Sequence, residues 1–152
     1  MKNLFVVGAV VFFSFGAQAQ SVKEKKVRAS VEAAFTESTA KVTDCGKKFK
    51  FVYDFKSFDS IDFKKLGREK VDQLGSEVPN LAEFGEGVNA LCADKDYKDA
   101  LQKVTTIVYK PTNNDQIAVK ASLAGGTLTI ENYVMGSTRG KSDYESAVKE
   151  AL

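Results

Sequence analysis

The sequence predicts an α+β fold in which helices cover an antiparallel sheet of about four strands. Three patterns support this prediction. Apolar residues recur with helical spacing near both ends of the chain and between residues 61 and 104. Over 49–55 apolar and polar residues alternate with the period of a strand. Short alternating runs appear again between 105 and 134. Because the last strands are clustered instead of alternating with helices, the pattern favours a three-stranded antiparallel meander over 105–134. The strand at 49–55 is expected to complete the sheet.

The first predicted element is a helix over 22–43. Val31 and Phe35 lie on its apolar stripe, and charged residues occupy the other faces. The next segment, 49–55, alternates with the period of two that is typical of a strand. This alternation places four aromatic side chains on one face of the strand: Phe49, Phe51, Tyr53 and Phe55.

Three further helices are predicted between this strand and residue 105. The first covers 61–74, although Gly67 weakens it by about 1 kcal/mol relative to alanine. The second covers 81–92, with Asn80 as its N-cap. The third covers 95–104, so the sequence predicts a helical layer between the first strand and the rest of the sheet.

The last third of the chain changes to a period of two. A strand over 105–110 is followed by two alternating runs separated by Gly125-Gly126, which is a hairpin signal. A terminal helix is predicted over 142–151. One stripe from each of these elements is expected to meet in a common core: Phe35, Phe51, Phe55, Leu66, Phe84, Leu91, Val119, Leu128 and Ile130.

The N-terminus has the pattern of an export signal. Lys2 is followed by an uncharged apolar run over 4–15, and Ala17-Gln18-Ala19 is typical of a signal-peptidase site. We therefore predict a signal peptide over 1–19 and a single α+β domain over 20–152. No cysteine stands directly after the predicted cleavage site, so no stable membrane anchor is expected and the mature protein is predicted to be periplasmic or secreted.

Composition excludes several functional classes. The chain has no histidine, so catalytic triads and metal sites that depend on this residue are impossible within it. The formal net charge of the whole chain is only +2, which argues against a nucleic-acid partner. No cofactor-binding motif occurs, and no metal site or cofactor is expected.

The two cysteines, Cys45 and Cys92, both lie in the predicted mature chain. An even number of cysteines in an exported protein predicts a disulfide. Buried free thiols or an intermolecular link are the alternatives.

Two sets of side chains are candidates for ligand or partner binding. The first is a candidate basic face: Lys47, Lys48, Lys64, Lys65 and Arg68. The second is a candidate apolar pocket: Phe51, Phe55 and Phe84. The simpler interpretations are a solvated helix surface for the lysines and ordinary core packing for the aromatic residues.

These observations favour a small exported binding or interaction module, without catalysis, whose protein or small-molecule partner the sequence does not identify. One alternative is a carrier of a small apolar ligand. A second is a histidine-free hydrolase that uses carboxylates, which requires two carboxyl groups in one cleft.

Overall fold

The computed structural model describes residues 21–152, so the predicted signal peptide lies outside the described residues. Helices and strands alternate less regularly than in a simple α/β fold. In chain order the elements are α1 (Val22–Ala40), β1 (Lys50–Tyr53), α2 (Phe55–Asp59), α3 (Lys70–Gly75), α4 (Glu77–Ala93), α5 (Lys95–Leu101), β2 (Thr106–Thr112), β3 (Val119–Ala124), β4 (Thr127–Tyr133) and α6 (Lys141–Ala151).

The fold is a mixture of helix and strand with a four-stranded sheet, as predicted, but the prediction of an antiparallel sheet is wrong. The strand order is β1-β2-β4-β3. β1 pairs parallel with β2, β2 pairs parallel with β4, and only β3 and β4 are antiparallel. The four helices between β1 and β2 therefore form a crossover connection, which parallel neighbours require.

The predicted meander over 105–134 is wrong for the same reason. The hairpin at Gly125-Gly126 is present, and both glycines adopt the positive φ that its tight turn requires. However, β4 inserts between β2 and β3 instead of following β3 at the edge. The inward residues of β4, Leu128 and Ile130, are fully buried, whereas Leu123 of β3 is 37% exposed, so burial favours β4 in the centre.

Helices α1, α4 and α6 pack side by side over one face of the sheet, with α4 in the middle. Two glycines on different sides of α4 allow this close approach. A Cβ atom at Gly85 would collide with the backbone of Ser38 in α1, and one at Gly87 would lie 2.9 Å from the carbonyl oxygen of Lys141 in α6. These glycines therefore serve contacts between helices, and α4 continues through them without a break.

Several predicted boundaries change because side chains cap the elements. The strand predicted over 49–55 ends at Tyr53, because the Asp54 carboxylate accepts the Ser57 N–H and caps α2, which begins at Phe55. The helix predicted over 61–74 is reduced to α3. The residues before α3 form turns in which Gly67 adopts a positive φ of 64°.

The core contains most of the expected residues. Five of them are buried: Phe35, Phe84, Leu91, Leu128 and Ile130. Phe51, Phe55 and Val119 are half-buried against the core. Leu66 is 42% exposed, so its predicted burial is wrong, and the reason is that it lies in the turn segment and not on a helix.

Candidate functional site

A groove of about 570 Å³ opens between the C-terminal half of α1, the loop that follows it and the start of β1. This volume lies within the range of small-molecule sites. The apolar part of its lining comes from both sides of the groove: Ala40, Val42, Phe49 and Phe51. Phe51 lies there because residues of odd number in β1 point toward the helices, and Phe49, directly before the strand, packs edge-on against it at 5.9 Å.

The polar lining of the groove is mostly threonine. Thr36, Thr39 and Thr43 line it, and the first two donate their hydroxyl hydrogens to helix carbonyl oxygens, Thr36 to Glu32 at 2.8 Å and Thr39 to Phe35 at 2.9 Å. Their methyl groups and oxygen lone pairs are therefore the groups left for a ligand.

Two lysines of the predicted basic face also line the groove, and they differ in availability. Lys47 Nζ donates to the carbonyl oxygens of Gln102 at 2.8 Å and Val104 at 2.6 Å, so it fastens the loop to the region between α5 and β2. Lys48 is exposed and takes part in none of the ion pairs or side-chain hydrogen bonds of the described residues. Lys48 is therefore the groove cation that is available to a ligand.

The loop that forms one wall of the groove is held from several directions. Cys45 and Cys92 form a disulfide with a Cα–Cα distance of 4.5 Å, which links the loop to the end of α4. The Asn89 side chain accepts the N–H groups of Thr43 and Asp44 at 2.9 and 3.1 Å. A site built on such a fixed loop loses little conformational entropy on binding.

The remaining candidate residues lie elsewhere. Phe84 is fully buried between α1 and the sheet, and Phe55 packs against Tyr53 with ring centroids 4.4 Å apart. Only Phe51 of the predicted apolar pocket lines the groove, although its ring also meets that of Phe84 edge-on at 6.5 Å. The other members of the predicted basic face lie in the turns between α2 and α3, outside the groove lining: Lys64, Lys65 and Arg68.

A second notable feature is a buried carboxyl group. Glu77 is 0% exposed, and it accepts hydrogen bonds from Tyr109 Oη at 2.8 Å and from Asn80 Nδ2 at 3.3 Å. Burial raises the pKa of Glu77 to about 7, while these hydrogen bonds and the nearby Asn132 amide act in the opposite direction. The Asn132 amide nitrogen has no partner with hydrogen-bond geometry.

The Tyr109 hydroxyl group contacts this carboxyl group directly. Burial, and then the nearby Glu77 charge, raise the pKa of Tyr109 well above its ordinary value. The hydrogen-bonding partners of Glu77 are a phenol and an amide, not a second carboxyl group. The groove lining also contains no acidic side chain, so neither feature supplies the carboxylate pair that the hydrolase alternative requires.

Sequence reasoning identified Phe51, Lys47 and Lys48 but missed the threonine side of the groove and the buried Glu77. Thr36, Thr39 and Thr43 follow an i, i+3, i+7 spacing, which would place them on one face of the helix predicted over 22–43, although α1 ends at Ala40 and Thr43 lies in the loop. Glu77 gives no such signal, because it follows a serine and begins a helix like many solvent-exposed glutamates.

Within residues 21–152, no group of three or more acidic or cysteine side chains is arranged to hold a metal ion. Over the same range no helix has both the length and the apolar character needed to cross a bilayer. No family model matches the chain, and comparison with curated proteins and with solved structures gives no match either.

Proposed function

We propose that this chain is an exported, non-enzymatic binding protein that takes a small organic anion with an apolar body in the groove between α1 and β1. The observation that carries the proposal is that Phe49, Phe51 and the unpaired, exposed Lys48 line one groove. An apolar cleft with a small number of polar groups is the usual form of a small-molecule site.

The charge on the ligand follows from the groove residues. The lining has two lysines and no acid, and only Lys48 has a free ammonium group. The threonine side supplies methyl groups and acceptor oxygens, which suit an aliphatic or aromatic body with a hydroxyl group near its anionic end.

Calorimetry of the mature protein with octanoate and octylammonium tests the proposal, because the two probes share a body and differ in charge. Octanoate is expected to bind more tightly. Lys48→Glu should weaken octanoate binding about fivefold to tenfold, since an exposed ion pair contributes up to about 1 kcal/mol and the reversed charge adds repulsion. Lys64→Glu is the matched control, and an equal loss in both variants would assign the attraction to overall charge and not to the groove.

A second pair of variants tests the place of binding. Ala40→Trp fills the groove and should abolish octanoate binding, whereas Ala33→Trp, at an exposed position of α1 outside the lining, should not. Undiminished binding by Ala40→Trp would contradict the proposal.

Export is the remaining part of the proposal. The Cys45–Cys92 disulfide fits an oxidising compartment such as the periplasm or the cell exterior. N-terminal sequencing of the protein from an envelope or culture fraction should show Gln20 as the first residue. An N-terminus at Met1 in that fraction would contradict a cleaved signal peptide.

A further inference from the structure

Strand β1 is an edge strand of the sheet, since it pairs only with β2 among the described strands. Lys50 N–H donates to Thr105 at 3.0 Å and Asp54 N–H donates to Tyr109 at 2.9 Å, so residues of even number direct their backbone groups toward β2. Successive residues of a strand direct these groups to opposite sides. The backbone groups of Phe51 and Tyr53 therefore point away from the sheet.

These outward groups have no other backbone partner. Outside the sheet ladder, no backbone hydrogen bond of the described residues involves the N–H or carbonyl group of Phe51 or Tyr53. An edge of this kind is a ready template for an additional strand. The groove lining contains residues at β1 and none from the other edge strand, β3.

The groove lies directly beside this edge, with α1 as its far wall. A segment added to β1 would alternate its side chains between the two faces of the sheet. Side chains on the inner face would enter the groove next to Phe51, and those on the outer face would lie opposite Lys50. When an extended peptide adds to a sheet edge, main-chain hydrogen bonds supply affinity and pockets for alternate side chains supply specificity.

The charge of the outer face indicates the chemistry of such a segment. Lys50 is exposed and, like Lys48, makes no ion pair among the described residues. Cross-strand pairs of opposite charge stabilise a sheet, and like charges oppose it. Acidic residues are therefore favoured at alternate positions of the added strand, with apolar residues between them.

We propose that the groove binds an extended polypeptide segment of alternating apolar and acidic residues, which adds to the free edge of β1 as a fifth strand. This inference rests on the proposed function, because the apolar side chains of the peptide would occupy the same groove as the apolar body of the small ligand. It adds main-chain pairing, which a small amphiphile does not make.

The test uses the mature protein and a fluorescein-labelled peptide of sequence EVEVEVE, with binding followed by fluorescence anisotropy. Two further peptides carry N-methyl groups, one on the odd-numbered amides and the other on the even-numbered amides. Because only one of these sets can face β1, one of the two peptides must lose its pairing with the strand whichever register is adopted. We expect at least one methylated peptide to bind tenfold or more weakly than the parent. We also expect the amide hydrogens of Phe51 and Tyr53 to become protected from exchange on addition of the parent peptide.

Lys50 provides a variant that separates this inference from the function on which it rests, because it lies outside the groove lining. Lys50→Glu should weaken peptide binding about fivefold and leave octanoate binding unchanged, and Lys120→Glu on the opposite edge strand is the matched control. Equal binding of the parent and both methylated peptides, or unchanged exchange at Phe51 and Tyr53, would overturn the inference. If octanoate still binds in that case, the proposed function stands without the inference. If neither octanoate nor the peptide binds, the proposed function and the inference are both rejected.

Discussion

Replacing Glu77 with glutamine is expected to stabilise the protein more at pH 8 than at pH 5. The carboxyl group is fully buried, and its pKa rises from the ordinary value of 4.5 to about 7 on folding. Well below pH 4.5 the group is protonated in both states and causes no difference in stability. As the pH rises toward 7 the unfolded chain releases its proton first, so the free energy of unfolding decreases.

The size of this effect follows from the two pKa values. The change from 4.5 to about 7 corresponds to a loss of about 3 kcal/mol that is complete above pH 7. Between pH 5 and pH 8 the loss is about 2–3 kcal/mol, because part of it has already occurred at pH 5. Glutamine resembles the neutral acid, since its amide can donate to Tyr109 and its oxygen can accept from Asn80.

Urea unfolding of both proteins at pH 5 and pH 8, followed by far-ultraviolet circular dichroism, measures this difference. With a slope of roughly 2 kcal/mol/M, the midpoint of Glu77→Gln should exceed that of the wild type by about 1 M more at pH 8 than at pH 5. Glu86→Gln, at an exposed position of the same helix, is the control and should change neither midpoint. A Glu77→Gln midpoint that follows the wild type at both pH values would refute a raised pKa for Glu77.

The other predictions concern packing and the disulfide. Gly85→Ala should destabilise the protein by about 1–3 kcal/mol in urea unfolding, because its Cβ overlaps the backbone of α1, although the same change in an open helix is favourable. Phe84→Ala should cost about 3–5 kcal/mol and the half-buried Phe51→Ala clearly less, so equal losses would contradict the burial of the two rings. Unreduced, freshly purified protein should contain no alkylatable thiol, and the double change of Cys45 and Cys92 to serine should lower the free energy of unfolding by up to about 4 kcal/mol.

Local chemistry is what the sequence determined best. Period-two alternation located β1, β3 and β4, and an apolar run over 105–110 indicated β2. Gly125-Gly126 identified the hairpin, because a tight turn between alternating runs needs a positive φ at both positions. The disulfide followed from the number of cysteines and the predicted compartment. The strands and the hairpin depend on residues that are close in the chain. The disulfide could be predicted because two cysteines allow only one intramolecular pairing.

Strand order depended on the tertiary structure. Alternation shows which face of β4 is buried but not which strand lies beside it, and the same pattern fits a meander and the observed order. The strand order depends on how completely each strand is covered by helices that are distant in sequence. The helix predicted over 61–74 failed for a related reason, because its partial apolar stripe has no partner at Leu66.

The candidate site shows the same division. Phe51, Lys47 and Lys48 could be selected from the sequence, since aromatic and basic residues are concentrated there. Only the tertiary structure showed that Lys47 is bound to distant carbonyl oxygens and that Lys48 is free, because hydrogen bonds across 55 or more residues leave no local pattern. The buried state of Glu77 is likewise a property of the surrounding layers, since burial of a carboxyl group is decided by what packs over it and not by its neighbours in the chain.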